Sequence, residues 1–220
     1  MSAAACVWIT GGGSGVGAAL AKRLAQDGER VVISGRREED LTEVAAGQPG
    51  ILPFPLDTAD STAVRNGVQR IERDIAPISL AVLTTGPGVA IPLGGFDRDR
   101  ARGQADAGVG GALNCLGALV PVLRQRGYGH VAILPPSGRG AGMPLTILIE
   151  SLSHDLAGTG IKIQVIDPDL VRASSDDLAV AQAVEAILRG PRLDTVTVGP
   201  VKPGLMARFS AFLKRLFQRP

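Results

Sequence analysis

Aromatic side chains are scarce in this 220-residue chain: one tryptophan, one tyrosine and five phenylalanines make up 3% of it. A core can still be built, because 45% of the residues are hydrophobic, so valine, isoleucine, leucine and alanine have to fill it. Cysteine is reduced to Cys6 and Cys115, each inside an apolar run. That usage fits buried, reduced thiols in a cytoplasmic protein and excludes a disulfide framework. His130 and His154 are the only histidines, and no cysteine/histidine cluster has metal-ligand spacing, so no metal site is expected. The longest weakly polar stretch, Val109 to Leu123, is broken by Gly110, Gly111, Asn114 and Gly117 and is too short to span a bilayer. A glycine-rich run begins at Thr10, so no signal peptide is expected.

Formal net charge is +2, which argues neither for nor against nucleic acid, and no nucleic-acid partner is expected. The distribution says more. Residues 201–220 carry Lys202, Arg208, Lys214, Arg215 and Arg219 with no acid, while the remaining residues hold 18 basic and 21 acidic groups. A mildly acidic body therefore ends in a basic tail.

What is present is an alternation of short β-rich runs and helical stretches, which favours a parallel sheet covered on both faces. Strands are expected at Ala5–Ile9, Arg30–Ser34, Ile51–Phe54, Leu80–Thr84, His130–Leu134, Ile161–Ile166 and Thr195–Val198. Helices are expected at 15–27, 37–46, 60–75, 98–126, 145–157, 175–189 and 204–217. Asp60 and Ser174/Ser175 are placed to cap helices, and Gly190-Pro191 is a stop signal.

Between the first strand and first helix the chain reads Thr10-Gly11-Gly12-Gly13-Ser14-Gly15-Val16-Gly17. Glycines there let the backbone turn sharply and approach a pyrophosphate, and the helix N-terminus supplies free N–H groups and a positive dipole. The spacing Thr-Gly-x-x-x-Gly-x-Gly resembles that of the short-chain dehydrogenase/reductase family. The likeness continues through Leu56-Asp57-Thr58, through Gly129 to Ile133, and through Glu150 to Ala157 running into Gly160-Ile161-Lys162-Ile163. It covers nearly all of residues 5–200. The resemblance implies an α/β Rossmann-type, doubly wound seven-stranded parallel sheet in the order 3-2-1-4-5-6-7, with a dinucleotide-binding domain at 1–200. By the same resemblance Thr10, Gly11, Gly13, Ser14, Gly15, Val16, Gly17, Thr85 and Gly86 bind the cofactor, and Asp57 accepts from the adenine amine.

After the second strand stands Ser34-Gly35-Arg36-Arg37, with Gly35 where an NAD site commonly has an acid for the ribose 2′-OH. A guanidinium at Arg36 suits the 2′-phosphate, so NADP(H) is expected ahead of NAD(H).

The chemistry that the resemblance implies needs a tyrosine to protonate the carbonyl, a lysine one helical turn later, and a serine to polarise the carbonyl. Here Tyr128 is the only tyrosine, lysine occurs four times, and no Tyr-x-x-x-Lys exists. The family's serines fall on Pro135 and Pro136, leaving Ser137 one residue late as the surviving polar candidate. Only twelve residues separate Ser137 from Glu150, so about a dozen, the tyrosine and lysine among them, are missing relative to the family. Its asparagine-rich motif is replaced by Leu83-Thr84-Thr85-Gly86, and its helix asparagine falls on Gly108. Its Pro-Gly-x-x-x-Thr after the sixth strand reads Pro168-Asp169-Leu170-Val171-Arg172-Ala173 here, and the lid normally found next is almost gone, because Ser174-Ser175-Asp176-Asp177 already starts the next helix. Tyr128, ahead of the fifth strand, reads as a turn residue on the far edge. Glu150 and His154 fall on solvent-facing positions.

In the tail, Leu205, Met206, Phe209, Phe212, Leu213, Leu216 and Phe217 form one apolar stripe with the basic residues largely off it. Residues 201–220 are therefore expected as a basic amphipathic helix. It would pack on the body or a second subunit in a homo-oligomer, lie peripherally on an anionic membrane, or occupy a protein groove. Three functions stay open. The leading one is an NADP(H)-binding, catalytically impaired family member acting as sensor, scaffold or inactive subunit. The others are a working NADP-dependent carbonyl reductase with another proton donor, and a membrane-peripheral or interaction protein that no longer uses the cofactor.

Overall fold

A computed structural model describes residues 5–84, 106–134, 152 and 155–166. Within them six parallel strands form one sheet in the order β3-β2-β1-β4-β5-β6. The strands are β1 Cys6–Thr10, β2 Arg30–Ser34, β3 Ile51–Pro53, β4 Ile78–Thr84, β5 Gly129–Leu134 and β6 Ile161–Val165. The described helices are α1 Gly15–Gln26, α2 Glu38–Ala45, α3 Ser61–Arg70 and α4 Gly111–Arg126. The expected order is therefore present for strands one to six. The expected seventh strand, the helices at 175–189 and 204–217, and the whole of residues 201–220 lie outside the described residues.

The central strand β1 is buried throughout and β2 after Arg30 is too, so their residues are almost continuously apolar, and along the sheet they sort by twos. Trp8, Val32, Ala81, Leu83, Val131 and Ile133 pack toward α3 and α4. Val7, Ile9, Val31, Ile33, Val82 and Ala132 pack toward α1 and α2. The single tryptophan, Trp8, is completely buried, and its indole N–H donates to Ser34 Oγ at 3.0 Å. That bond satisfies a polar atom that would otherwise be costly in the core.

Two helices depart from the expected bounds. The segment expected as one helix over 60–75 is α3 followed by a π-helical turn at Ile71–Ile75. There Glu72 turns to accept from the Ile78 N–H at 2.8 Å. Likewise α4 is entered through a π-helical turn, Asp106–Gly110. Asp60 caps α3 as expected, its carboxylate accepting from the N–H groups of Thr62 and Ala63, each at 2.9 Å. Gly127, in the left-handed region at φ 78°, ends α4. Among the described residues no helix is long and apolar enough to cross a membrane.

Candidate functional site

The switch point of the sheet lies between β1 and β4, whose following connections leave in opposite directions. The crevice at the carboxyl ends of such strands is where open α/β sheets take ligands. Here it is lined by Thr10, Thr58, Leu83, Thr84, Gly108 and Gly111, among others. The strand ends are clipped together. Thr84 N–H donates to Thr10 Oγ1 at 3.1 Å, and Thr84 Oγ1 donates to the Thr10 carbonyl at 2.6 Å. This clip was not legible beforehand, since a threonine at a strand end does not name its partner.

Above the clip, the glycine turn folds as a cradle. Gly11 (φ 66°) and Gly15 (φ 53°) occupy the left-handed region, which glycine adopts without strain. Gly17 packs its bare Cα face on the Gly11 carbonyl so closely that a Cβ would collide with that oxygen. The Gly12 N–H donates to the Ser34 carbonyl at 3.0 Å and anchors the turn to β2. Gly11, Ser14 and Gly15 are exposed, Gly13 and Val16 half-buried. Ser14 stands at the N-cap in extended conformation with no side-chain capping bond, and Ala18 N–H makes an early helical bond back to the Ser14 carbonyl. The preceding N–H groups of α1 thus face outward without helical acceptors. The residues present fit a pyrophosphate: open backbone donors, a helix dipole and, among the described residues, glycines rather than bulky side chains lining the turn.

The remaining expected cofactor groups sit around this edge. Arg36 and Arg37 follow β2, and they differ. Arg37 is tied to Asp40 in an ion pair, whereas Arg36 is exposed and forms no ion pair among the described residues. Asp57 follows β3, exposed, with Oδ1 accepting from the Ala59 N–H at 3.0 Å. Thr85, Gly86, Ser137, Glu150 and His154 lie outside the described residues.

At the opposite edge of the sheet, Tyr128 precedes β5 as a turn residue, half exposed. Its ring lies 4.6 Å from the Arg126 guanidinium. The six residues of β5 put roughly 20 Å between its two ends, at about 3.3 Å per residue. Cys6 and Cys115 are free and buried, and burial pushes each thiol up to about 12, so neither is a ready nucleophile. Among the described residues no group of histidine, cysteine and carboxylate side chains could hold a metal ion.

A doubly wound α/β protein with a glycine cradle at its switch point is the class that fold and site define. The chain belongs to the short chain dehydrogenase family, whose profile matches residues 5–136. It is 29% identical over 180 residues to an uncharacterised oxidoreductase of Myxococcus xanthus, covering 75% of this chain and 71% of the relative. A Staphylococcus epidermidis uncharacterised oxidoreductase is 28% identical over 222 residues, covering 88% and 96%. The fold superposes on a 3-ketoacyl-(acyl-carrier-protein) reductase from Brucella melitensis crystallised with NADH. That match has a TM-score of 0.76 at 19% identity, over 88% of this chain and 93% of the other. Serine dehydrogenase from Escherichia coli gives 0.74 at 22% identity, over 89% and 97%.

Proposed function

We propose that this chain is an NADP(H)-binding short-chain dehydrogenase whose carbonyl-reducing machinery is impaired, so that it serves as a sensor, scaffold or inactive subunit. In this reading residues 1–200 are the dinucleotide-binding domain. The turn from Thr10 to Gly17 takes the pyrophosphate, with Thr85 and Gly86 beyond β4 completing the cofactor set. Arg36 pairs with the 2′-phosphate and Asp57 accepts from the adenine amine. When bound, the cofactor would supply a hydride.

What carries the impairment is the position of Tyr128. The family's reaction uses a tyrosine on the cofactor side of the sheet, and the only tyrosine here is stacked on Arg126 at the other edge. Ser137 remains near the expected nicotinamide in sequence, but a serine hydroxyl is too weak an acid to replace a phenol with a lysine beside it. The contrast between Arg36 and Arg37 supports NADP(H). An arginine already neutralised by Asp40 has less to offer a phosphate than one with no ion pair.

Calorimetry with NADPH and NADH tests the cofactor half. NADPH should bind more tightly than NADH. Arg36→Ala should weaken NADPH roughly 10- to 100-fold, since a charge-assisted contact is worth on the order of 1.5–3 kcal/mol. NADH binding should stay nearly unchanged, and equal losses for both would remove Arg36 from the 2′-phosphate. A screen of ketones and aldehydes tests the other half. Turnover at an ordinary dehydrogenase rate would establish a proton donor elsewhere and sink the impairment.

A further inference from the structure

Asn114 interrupts the weakly polar run of α4, and its amide reaches across to the loop that follows β3. Its Nδ2 donates to the Thr58 carbonyl at 2.9 Å and to the Ala59 carbonyl at 3.2 Å. One turn earlier Gly111 lets the helix backbone lie directly on that loop, since a Cβ there would stand 2.7 Å from Thr58 Oγ1. The Thr58 carbonyl and the Ala59 N–H belong to one planar peptide unit and point in opposed directions. Asn114 grips the first, and Asp57 Oδ1 accepts from the second at 3.0 Å. The far end of the loop is held as well, by the Asp60 N–H donating to the Asp57 carbonyl at 3.2 Å.

We infer that Asn114 is a positioning residue for adenine recognition: by fixing the Thr58–Ala59 peptide it aims the Asp57 carboxylate at the exocyclic amine of the dinucleotide. One carboxylate oxygen is spent on the Ala59 N–H, and that bond orients the second to receive the amine. The inference rests on the reading of Asp57 given under the proposed function. It extends that reading to Asn114 on α4, the helix packed against the loop.

The test compares NADPH with its deamino analogue, in which hypoxanthine replaces adenine and the amine is gone. Binding can be followed by quenching of Trp8, the chain's only tryptophan, which is buried in β1 two residues before Thr10. Asn114→Leu keeps the size and removes both hydrogen bonds. It should weaken NADPH by about three- to tenfold, the scale of one net hydrogen bond, and leave the deamino analogue unchanged. Asn114→Asp, which keeps the shape but lacks the donor, should do the same and serves if the leucine variant folds poorly. Combined with Asp57→Ala, neither should cause further loss, because both act on one contact. Equal weakening of NADPH and the analogue would mean that Asn114 merely supports the fold, and would overturn the inference alone. A wild-type protein that binds neither nucleotide would overturn the dinucleotide reading and this inference with it.

Discussion

Gly17 and Gly117 are both helical glycines, yet a methyl group added to each meets opposite surroundings. At Gly17 the added carbon would strike the Gly11 carbonyl, so the turn would have to open where the pyrophosphate is proposed to sit. At Gly117 it meets nothing within 4 Å, on the exposed side of α4. Gly117→Ala should therefore stabilise the protein by roughly 0.5–1 kcal/mol, the ordinary gain of alanine over glycine inside a helix. Gly17→Ala should destabilise it by about 1–3 kcal/mol through overpacking and reduce NADPH affinity as well. Thermal melts and a nucleotide titration of the two variants check both signs. A neutral Gly17→Ala would mean that the cradle is less tightly closed than its geometry requires.

At the scale of elements, β5 carries a group that should make stability depend on pH. His130 is held well below its ordinary value of 6.5, at about 3, chiefly by burial and then by the charge of Lys162 on β6. A hydrogen bond to Gln164 opposes the shift only in part. Above pH 6.5 the ring is neutral folded or unfolded and contributes no slope. Between 6.5 and 3 the unfolded chain takes up a proton that the folded one refuses, so stability falls as the pH drops. The slope approaches about 1.4 kcal/mol per pH unit at most. His130→Gln should flatten this part of the denaturation profile between pH 6 and 4. Identical profiles for variant and wild type would show that His130 is protonated in the folded protein.

The elements were legible because their signals are local. Runs such as Val31-Val32-Ile33, bounded by Glu29 and Gly35, read as buried strands. Asp60 ahead of Ser61-Thr62-Ala63 read as a cap, and both are found where expected. The π-helical turn at Ile71–Ile75 was not legible. Within it Glu72 accepts from the Ile78 N–H six residues on and from Arg126, 54 residues away, and the second partner lies in no window of neighbouring residues.

For the whole molecule, the amino edge of the sheet is tied by that same cluster. Arg126 at the end of α4 pairs with Glu72 at 2.9 Å, and both side chains are more than four-fifths buried. Arg126 also donates to the Ile78 carbonyl, while Glu72 accepts the Ile78 N–H, so two helices and a strand share one knot. Arg126→Ala would leave Glu72 buried without its cation and should cost about 3 kcal/mol, the lower end for breaking a buried pair. That is a fall in melting temperature of roughly 6–12 °C for a chain of this length. Replacing both partners by leucine or methionine should cost less than the single change. A single variant that melts within a degree of wild type would show that the pair is solvated in solution.

The sequence by itself determined the architecture and the place of the cradle, because strand, glycine turn and helix are contiguous and Gly11 and Gly15 stand where the turn needs a positive φ. The sequence also shows a single tyrosine, Tyr128, and no Tyr-x-x-x-Lys. Tertiary structure alone decided which arginine is engaged by Asp40, that Thr84 clips β4 to β1, and that Asn114 reaches the Asp57 loop across 56 residues of chain. The reason is physical. Periodicity and turn chemistry act over a few residues, whereas a hydrogen bond between distant segments exists only once the packed core has fixed where both of them stand.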